Sequence, residues 1–255
     1  MISKKNIKKN PKLFNLPEDG KSSKSILKKG LLITFEGGEG SGKSTQSKRL
    51  TKKLVDSGIN SIALHEPGNT PLGEQIRRWV KNNKSKNPIA ETYLFCAARA
   101  ELCKSVIEPA LKSGITVIVD RFIHSTLAYQ GYGKGVSLEI INELNQITTN
   151  NLNPDLTILL DMNPSISGER INKNINIEFA LSSEKKKKIK RNTYEGNSFE
   201  NMSLDFHNKV RSGYLKMAKK NRSSWSIVSA DQPEHRVADS IWKRVRRMIE
   251  NYKVN

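Results

Sequence analysis

Five short apolar runs punctuate the chain: LLITF (31–35), SIALH (61–65), ITVIVD (115–120), LTILLDM (156–162) and WSIVSA (225–230). Each is too short for a typical helix and mostly rich in β-branched residues, which predicts strands. Between them, apolar positions recur at helical spacing. KSTQSKRLTKKLVDSG predicts a helix closed by Gly58, and LGEQIRRWV predicts another. A long helix is predicted from Ile89 to Ser113, stopped by Gly114, and PEHRVADSIWKRVRRMIEN closes the chain as a helix. Uninterrupted apolar strands alternating with helices predict an α/β fold: a doubly wound, five-stranded parallel sheet covered on both faces. Such sheets bind ligands at the carboxyl ends of their strands. Glu36, the glycine-rich stretch behind it, the turn at His65-Glu66-Pro67-Gly68, and Asp120-Arg121 are therefore predicted to converge.

Length and charge refine this picture. The 255 residues suit one domain, here 31–255, behind a basic extension at 1–30 that holds nine lysines and no arginine. The extension lacks the apolar core of a signal peptide and reads as disordered. No apolar run approaches the ~20 residues that span a bilayer, so a soluble protein without membrane partners is expected. The net charge is +19, and a second basic block, KKKKIKR, occupies 185–191. Such runs attract nucleic acid but more often form solvated loops, so a nucleic-acid partner is not expected. Cys96 and Cys103 lie on one helical segment, too far apart to be bridged, and read as buried free thiols of a reducing cytoplasm.

FEGGEGSGKSTQ (35–46) carries the clearest chemistry. Gly37-Gly38-Glu39-Gly40-Ser41-Gly42-Lys43-Ser44 fits G-x-x-x-x-G-K-[ST] between a strand and a helix, the phosphate-binding loop of nucleotide-dependent proteins. Its backbone N–H groups, with Thr45 next in line, surround phosphates at the positive end of a helix. Lys43 reaches the β- and γ-phosphates, and the Ser44 hydroxyl is a Mg²⁺ ligand. The guanine-reading N-K-x-D of GTPase switches is absent; NKN at 172–174 lacks the aspartate. Asp120, at the end of ITVIVD, is suited to hold Mg²⁺ through water, and Arg121 to clamp a phosphate. Phe95 and Arg99, four apart on the long helix, share a face that can stack a base and donate to its edge.

Together the segments ITFEGGEGSGKSTQ, EPGNTPLGEQIR, LFCAARAEL, VIEPALKSG, VIVDRFIHSTLAYQGYG, PDLTILLD and LDFHNKVRSGYLKMA resemble the bacterial-type thymidylate kinases, in that family's order, from Leu31 to the C-terminus. The resemblance implies transfer of the ATP γ-phosphoryl to dTMP with Mg²⁺ as cofactor, in a homodimer. It implies that Phe95 stacks on thymine, that Arg99 donates to its O4, and that Thr126, next to Ser125, and Gln130 face the Watson–Crick edge. It also implies that Tyr129 lies against the deoxyribose, that Arg77 and Arg121 hold the dTMP phosphate, and that Glu39 stands near the acceptor. Two other readings stay open on the residues alone: another nucleoside monophosphate or deoxynucleoside kinase, and a degenerate, nucleic-acid-associated P-loop protein.

The sequence departs from the family pattern in three places. The usual Arg-Glu-Pro-Gly-Gly is His65-Glu66-Pro67-Gly68-Asn69 here, and the extension at 1–30 is additional. The lid, expected at about 172–202, has Asn197-Ser198 where an Asp-Arg pair usually supplies a catalytic arginine. Arg191, and after it Arg170, are the candidates to replace that cation.

Overall fold

The computed structural model describes residues 29–82, 87–170, 199–200 and 202–254. Five parallel strands form one sheet in the order β2-β3-β1-β4-β5. They are β1 (Leu32–Glu36), β2 (Ser61–His65), β3 (Thr116–Asp120), β4 (Leu156–Asp161) and β5 (Trp225–Ser229). β1 is central, hydrogen-bonded to β3 on one side and β4 on the other. The chain departs from β1 in opposite directions along the sheet, and the resulting crevice lies at the strands' carboxyl ends.

Alternation along β1 explains why the sheet needs helices on both faces. Ile33 and Phe35 pack with Leu50 and Leu54 of α1 (Lys43–Asp56). The same layer takes Val237, Ile241, Val245 and Ile249, the apolar stripe of the last helix, which we label α8 (Glu234–Val254). Leu32 points the other way, onto Val117, Val119, Leu102 and Ile107. α2 (Pro71–Asn82) and α3 (Pro88–Leu102) follow β2, and Asn87 caps α3 by accepting from Ile89 N at 2.9 Å, with Pro88 at the first helical position.

The long helix predicted to Ser113 is interrupted. α3 passes at Cys103–Ile107 into wider π-type turns, then into α4 (Glu108–Lys112). Pro109 is the physical reason. It has no N–H to give the carbonyl four residues back, and its ring would collide with that carbonyl in a regular α-helix. A second π-type stretch, Leu127–Gly133, follows α5 (Ile123–Thr126) and carries Tyr129 and Gln130. α6 (Leu138–Thr149) and α7 (Leu204–Lys220) pack against this stretch.

Gly30, the last residue of the predicted extension, packs on the folded chain. Its N–H donates to Leu111 O at 3.0 Å, and a Cβ there would stand 2.0 Å from Ile115 O. The rest of the extension, apart from Lys29, and residues 171–198, which hold most of the predicted lid with Lys185–Arg191, lie outside the described residues. No helix among the described residues is long and apolar enough to cross a membrane. Cys96 and Cys103 are free and buried, and burial raises both thiols.

Candidate active site

A cavity of about 970 Å³ opens at the carboxyl ends of β1, β2 and β3. One end is lined by Phe95, Arg99, Thr126, Tyr129 and Gln130, the other by Arg170, Ala230, Gln232 and Pro233. The glycine-rich loop, Asp120, Arg121, Ser125 and Arg77 line it as well. All of the predicted site residues among those described border it except Gly37 and Gly38, which back the loop from behind. Arg191 lies outside the described residues.

The loop is shaped for an anion. Gly37 takes φ +141° where a Cβ would meet Leu160 O at 2.5 Å, so only glycine fits. α1 begins behind Gly42 with no side-chain cap and no acidic residue in its first turn. Its first N–H groups and its positive end are thus left for a ligand. Lys43 Nζ donates to Gly38 O at 2.6 Å and Ser41 Oγ at 3.3 Å. Burial, helped by Arg121, brings its ammonium down to about 8.

Ser44 Oγ donates to Asp120 Oδ2, and Asp120 Oδ1 is buried with no partner among the described residues. A hydroxyl and a half-satisfied carboxylate form a hard oxygen pair, suited to a small divalent cation that keeps water and phosphate ligands. No group of three or more His, Cys, Asp or Glu able to hold a metal occurs among the described residues.

Arg121 follows β3 with φ +69°, a conformation unfavourable for a side chain of this size, and it is held there from several sides. Its N–H donates to Phe35 O at 2.9 Å, Nη1 to Gly37 O at 3.2 Å, and Nη2 to Glu39 Oε1 at 2.7 Å and Tyr129 Oη at 3.0 Å. Burial pushes the Glu39 carboxyl up, but Arg121 and Lys43 outweigh it and hold it at about 2. Glu39 is therefore an anion in contact with Arg121 and close to Lys43. Arg77 Nη1 donates to Pro67 O at 3.1 Å.

At the aromatic end of the cavity, Arg99 is 2% exposed and mostly satisfied by protein. Nε donates to Glu66 Oε2 at 2.9 Å, Nη1 to Asn145 Oδ1 at 2.7 Å, and Nη2 to Phe122 O and Thr126 Oγ1 at 3.2 and 3.0 Å. A guanidinium has five N–H groups, so one, on Nη1, is left. Burial pushes the Glu66 carboxyl up to about 7, with Arg99 pulling the other way. Phe95 lies 6.3 Å, ring to ring, from Phe199, which also meets Tyr129 edge-on at 5.3 Å.

The turn after β2 accounts for one departure from the family pattern. Asn69 sits at φ +61°, a conformation asparagine tolerates nearly as glycine does. Its Oδ1 accepts from His65 N at 2.6 Å and its N–H donates to Glu74 Oε1 at 2.9 Å. His65 Nε2 stands 3.3 Å from the same Glu74 oxygen, so its visible role is to brace the turn.

Sequence reasoning placed Glu36 and Glu66 at the site without giving them partners, and it missed Asn145 and Phe199. Glu36 accepts from Phe122 N and Ser125 Oγ beneath Arg121, and its position at a strand end was the only available signal. Glu66 as the Arg99 counter-ion, Asn145 and Phe199 had none, because their partners are distant in the chain.

Comparisons with known proteins show which family the chain resembles. The family model described as thymidylate kinase matches residues 35–179. A thymidylate kinase of Chlorobium chlorochromatii is 41% identical over 206 residues, 80% of this chain and 88% of its own. One from Thermomicrobium roseum is 38% identical over 218 residues, 86% of this chain and 95% of its own. The crystal structure of a thymidylate kinase from Ehrlichia chaffeensis superposes with a TM-score of 0.66 at 28% identity, covering 85% of this chain and 99% of that one. With a P-loop, an Asp-Arg pair at the end of β3 and an aromatic- and arginine-lined end in one cavity, and relatives matched along most of their length, the chain belongs to the thymidylate kinase family.

Proposed function

We propose that the protein transfers the γ-phosphoryl group of ATP to dTMP, giving dTDP and ADP. The observation that carries this reading is the sharing of one cavity by an uncapped P-loop and a fixed Arg121, with a base-sized aromatic end beyond them. A phosphate oxygen of dTMP attacks the γ-phosphorus, the bond to the β-phosphate oxygen breaks, and its electron pair leaves with ADP. A phosphate monoester is already a nucleophile, so positioning and charge neutralisation suffice.

Gly37 to Thr45 cradle the ATP phosphates, with Lys43 on the β- and γ-groups. Arg77 and Arg121 hold the dTMP phosphate, while Glu39 stands between donor and acceptor. Ser44 and Asp120 would hold Mg²⁺, which supplies neutralisation of the charge that builds on the bridging oxygens. Phe95 stacks on thymine, and the remaining Nη1 hydrogen of Arg99 donates to its O4. Thr126 and Gln130 face the edge of the base, Ser125 supports Arg121, and Tyr129 lies against the sugar. Arg191 stays a candidate for an additional phosphate-binding cation on sequence grounds alone.

We place the protein in the cytoplasm as a homodimer. Leu72 on α2, Ile89 and Tyr93 on α3, and Ile140 and Ile147 on α6 are exposed, on helices that pack side by side. A second copy would cover such an apolar face. Release of ADP, followed with dTMP, dUMP, dCMP and dGMP, tests the activity: turnover with dTMP well above the others supports it, and preference for another nucleotide overturns it.

A further inference from the structure

Glu91 is a fully buried carboxylate (0% exposed) on the first turn of α3, with no direct place in phosphoryl transfer. Its Oε2 accepts from Gln130 Nε2 at 2.9 Å and from Lys134 Nζ at 2.7 Å. Its Oε1 has no partner among the described residues. A buried carboxylate is costly unless donors answer it, and both donors here come from the stretch that closes the base end. Glu91, Phe95 and Arg99 follow one another at intervals of four on one helix, so the carboxylate stands on the face that carries the proposed base-stacking ring.

We propose that Glu91 is a positioning residue that sets base specificity by fixing which end of the Gln130 amide faces the nucleotide. The inference rests on the reading that Gln130 meets the edge of the base. A primary amide is ambivalent: one end donates, the other accepts. An ionised carboxylate only accepts, so the donor end of Gln130 must turn toward Glu91. Its Oε1 accepts from no described group, and Gln130 lines the cavity. An oxygen held there accepts the N3–H of thymine. Cytosine offers an unprotonated N3 at that place, and two acceptors then face each other. Turning the amide over would relieve that clash, but only by setting Oε1 against the Glu91 oxygen. Lys134, on the same Oε2, holds the carboxylate in place.

The test is the ratio of kcat/KM for dTMP to that for dCMP, measured in wild type, Glu91→Gln, Glu91→Asp and Gln130→Ala, with Tm for each. Glutamine at 91 keeps the size but can donate as well as accept, which frees the amide to turn. The expected result is a fall in the ratio of at least tenfold in Glu91→Gln, carried by a higher KM for dTMP and a gain with dCMP. The kcat with saturating dTMP should stay within about twofold. Glu91→Asp, which withdraws the acceptor but keeps its charge, should lower the ratio too, and it serves if Glu91→Gln fails to fold. An unchanged ratio in the Glu91 variants, or an equal loss with both nucleotides, alongside a lowered ratio in Gln130→Ala, overturns the positioning role alone. An unchanged ratio in Gln130→Ala overturns the base-edge reading itself, and the inference with it.

Discussion

Tyr214 Oη donates to Glu36 Oε2 at 3.0 Å, joining α7 to the end of β1 across 178 residues of chain. Ser125 Oγ donates to the same oxygen at 2.6 Å, and Phe122 N to the other at 3.0 Å. One buried carboxyl, raised by its burial, thus ties the first strand, a late helix and the turn bearing Arg121. Tyr214→Phe removes one donor and leaves an acceptor underused. It should cost about 1–3 kcal/mol, seen as a Tm lower by several degrees in a domain of this size. An unchanged Tm would mean that Tyr214 contributes packing only.

Lys43→Ala should abolish turnover and leave the fold intact. Among the described residues the ammonium bonds only to its own loop, at Gly38 O and Ser41 Oγ, so little tertiary structure depends on it. The role proposed for it is on the donor phosphates. Retention of a tenth of wild-type kcat, or a collapse of Tm, would contradict this assignment.

His124 predicts an acid-sensitive fold. Burial, with Arg99 nearby, lowers its imidazole to about 3, against an ordinary value near 6.5. Its Nδ1 has no partner among the described residues, and its ring meets Trp225 edge-on at 4.6 Å. The unfolded chain therefore binds a proton here that the folded chain refuses. The stabilisation is fully present above pH 6.5 and is lost progressively as pH falls from 6.5 toward 3. His124→Phe keeps the aromatic contact and removes the titration. Its Tm should fall less than that of wild type between pH 7.5 and pH 5, and parallel curves would refute the account.

Most of the architecture was legible because it follows from short-range pattern. All five strands lie within a residue of their apolar runs, and the glycine loop falls between β1 and α1 as its motif requires. What stayed hidden depends on partners far along the chain. The spacing puts Arg99 on the face with Phe95, but it does not reveal that four of its five N–H groups serve Glu66, Asn145, Phe122 and Thr126. The π-type turns under Tyr129 and Gln130 leave no period to read, since they break the helical spacing they sit in. Phe199 lies in the polar segment EGNSFEN, and nothing local announces that it meets Phe95.

Arg170 Nη2 donates to Ala230 O at 3.4 Å, at the cavity end away from the base. That tether suits donor binding. Arg170→Ala should raise KM for ATP severalfold, with kcat nearly unchanged. Should kcat and kcat/KM fall together by about 10²-fold, Arg170 would instead be a cation of the transition state.

Removal of residues 1–28 should leave kcat, KM and Tm close to those of the full chain, whereas removal through Gly30 should lower Tm. Gly30 bonds to Leu111 and packs on Ile115. Equal stability of the two truncations would deny Gly30 a part in the fold.

The missing cap on α1 has a consequence for the protein as a whole. A helix normally closes its first turn with its own side chain, but here Gly42 offers none and the first turn holds no acid. The closing group is lent by whatever anion is bound. A phosphorylated ligand at a hundred times its Kd would stabilise the native state by ~2.7 kcal/mol. The folded population then follows the nucleotide supply: when nucleotides run low, the protein becomes easier to unfold and to degrade, with no change in its sequence or synthesis.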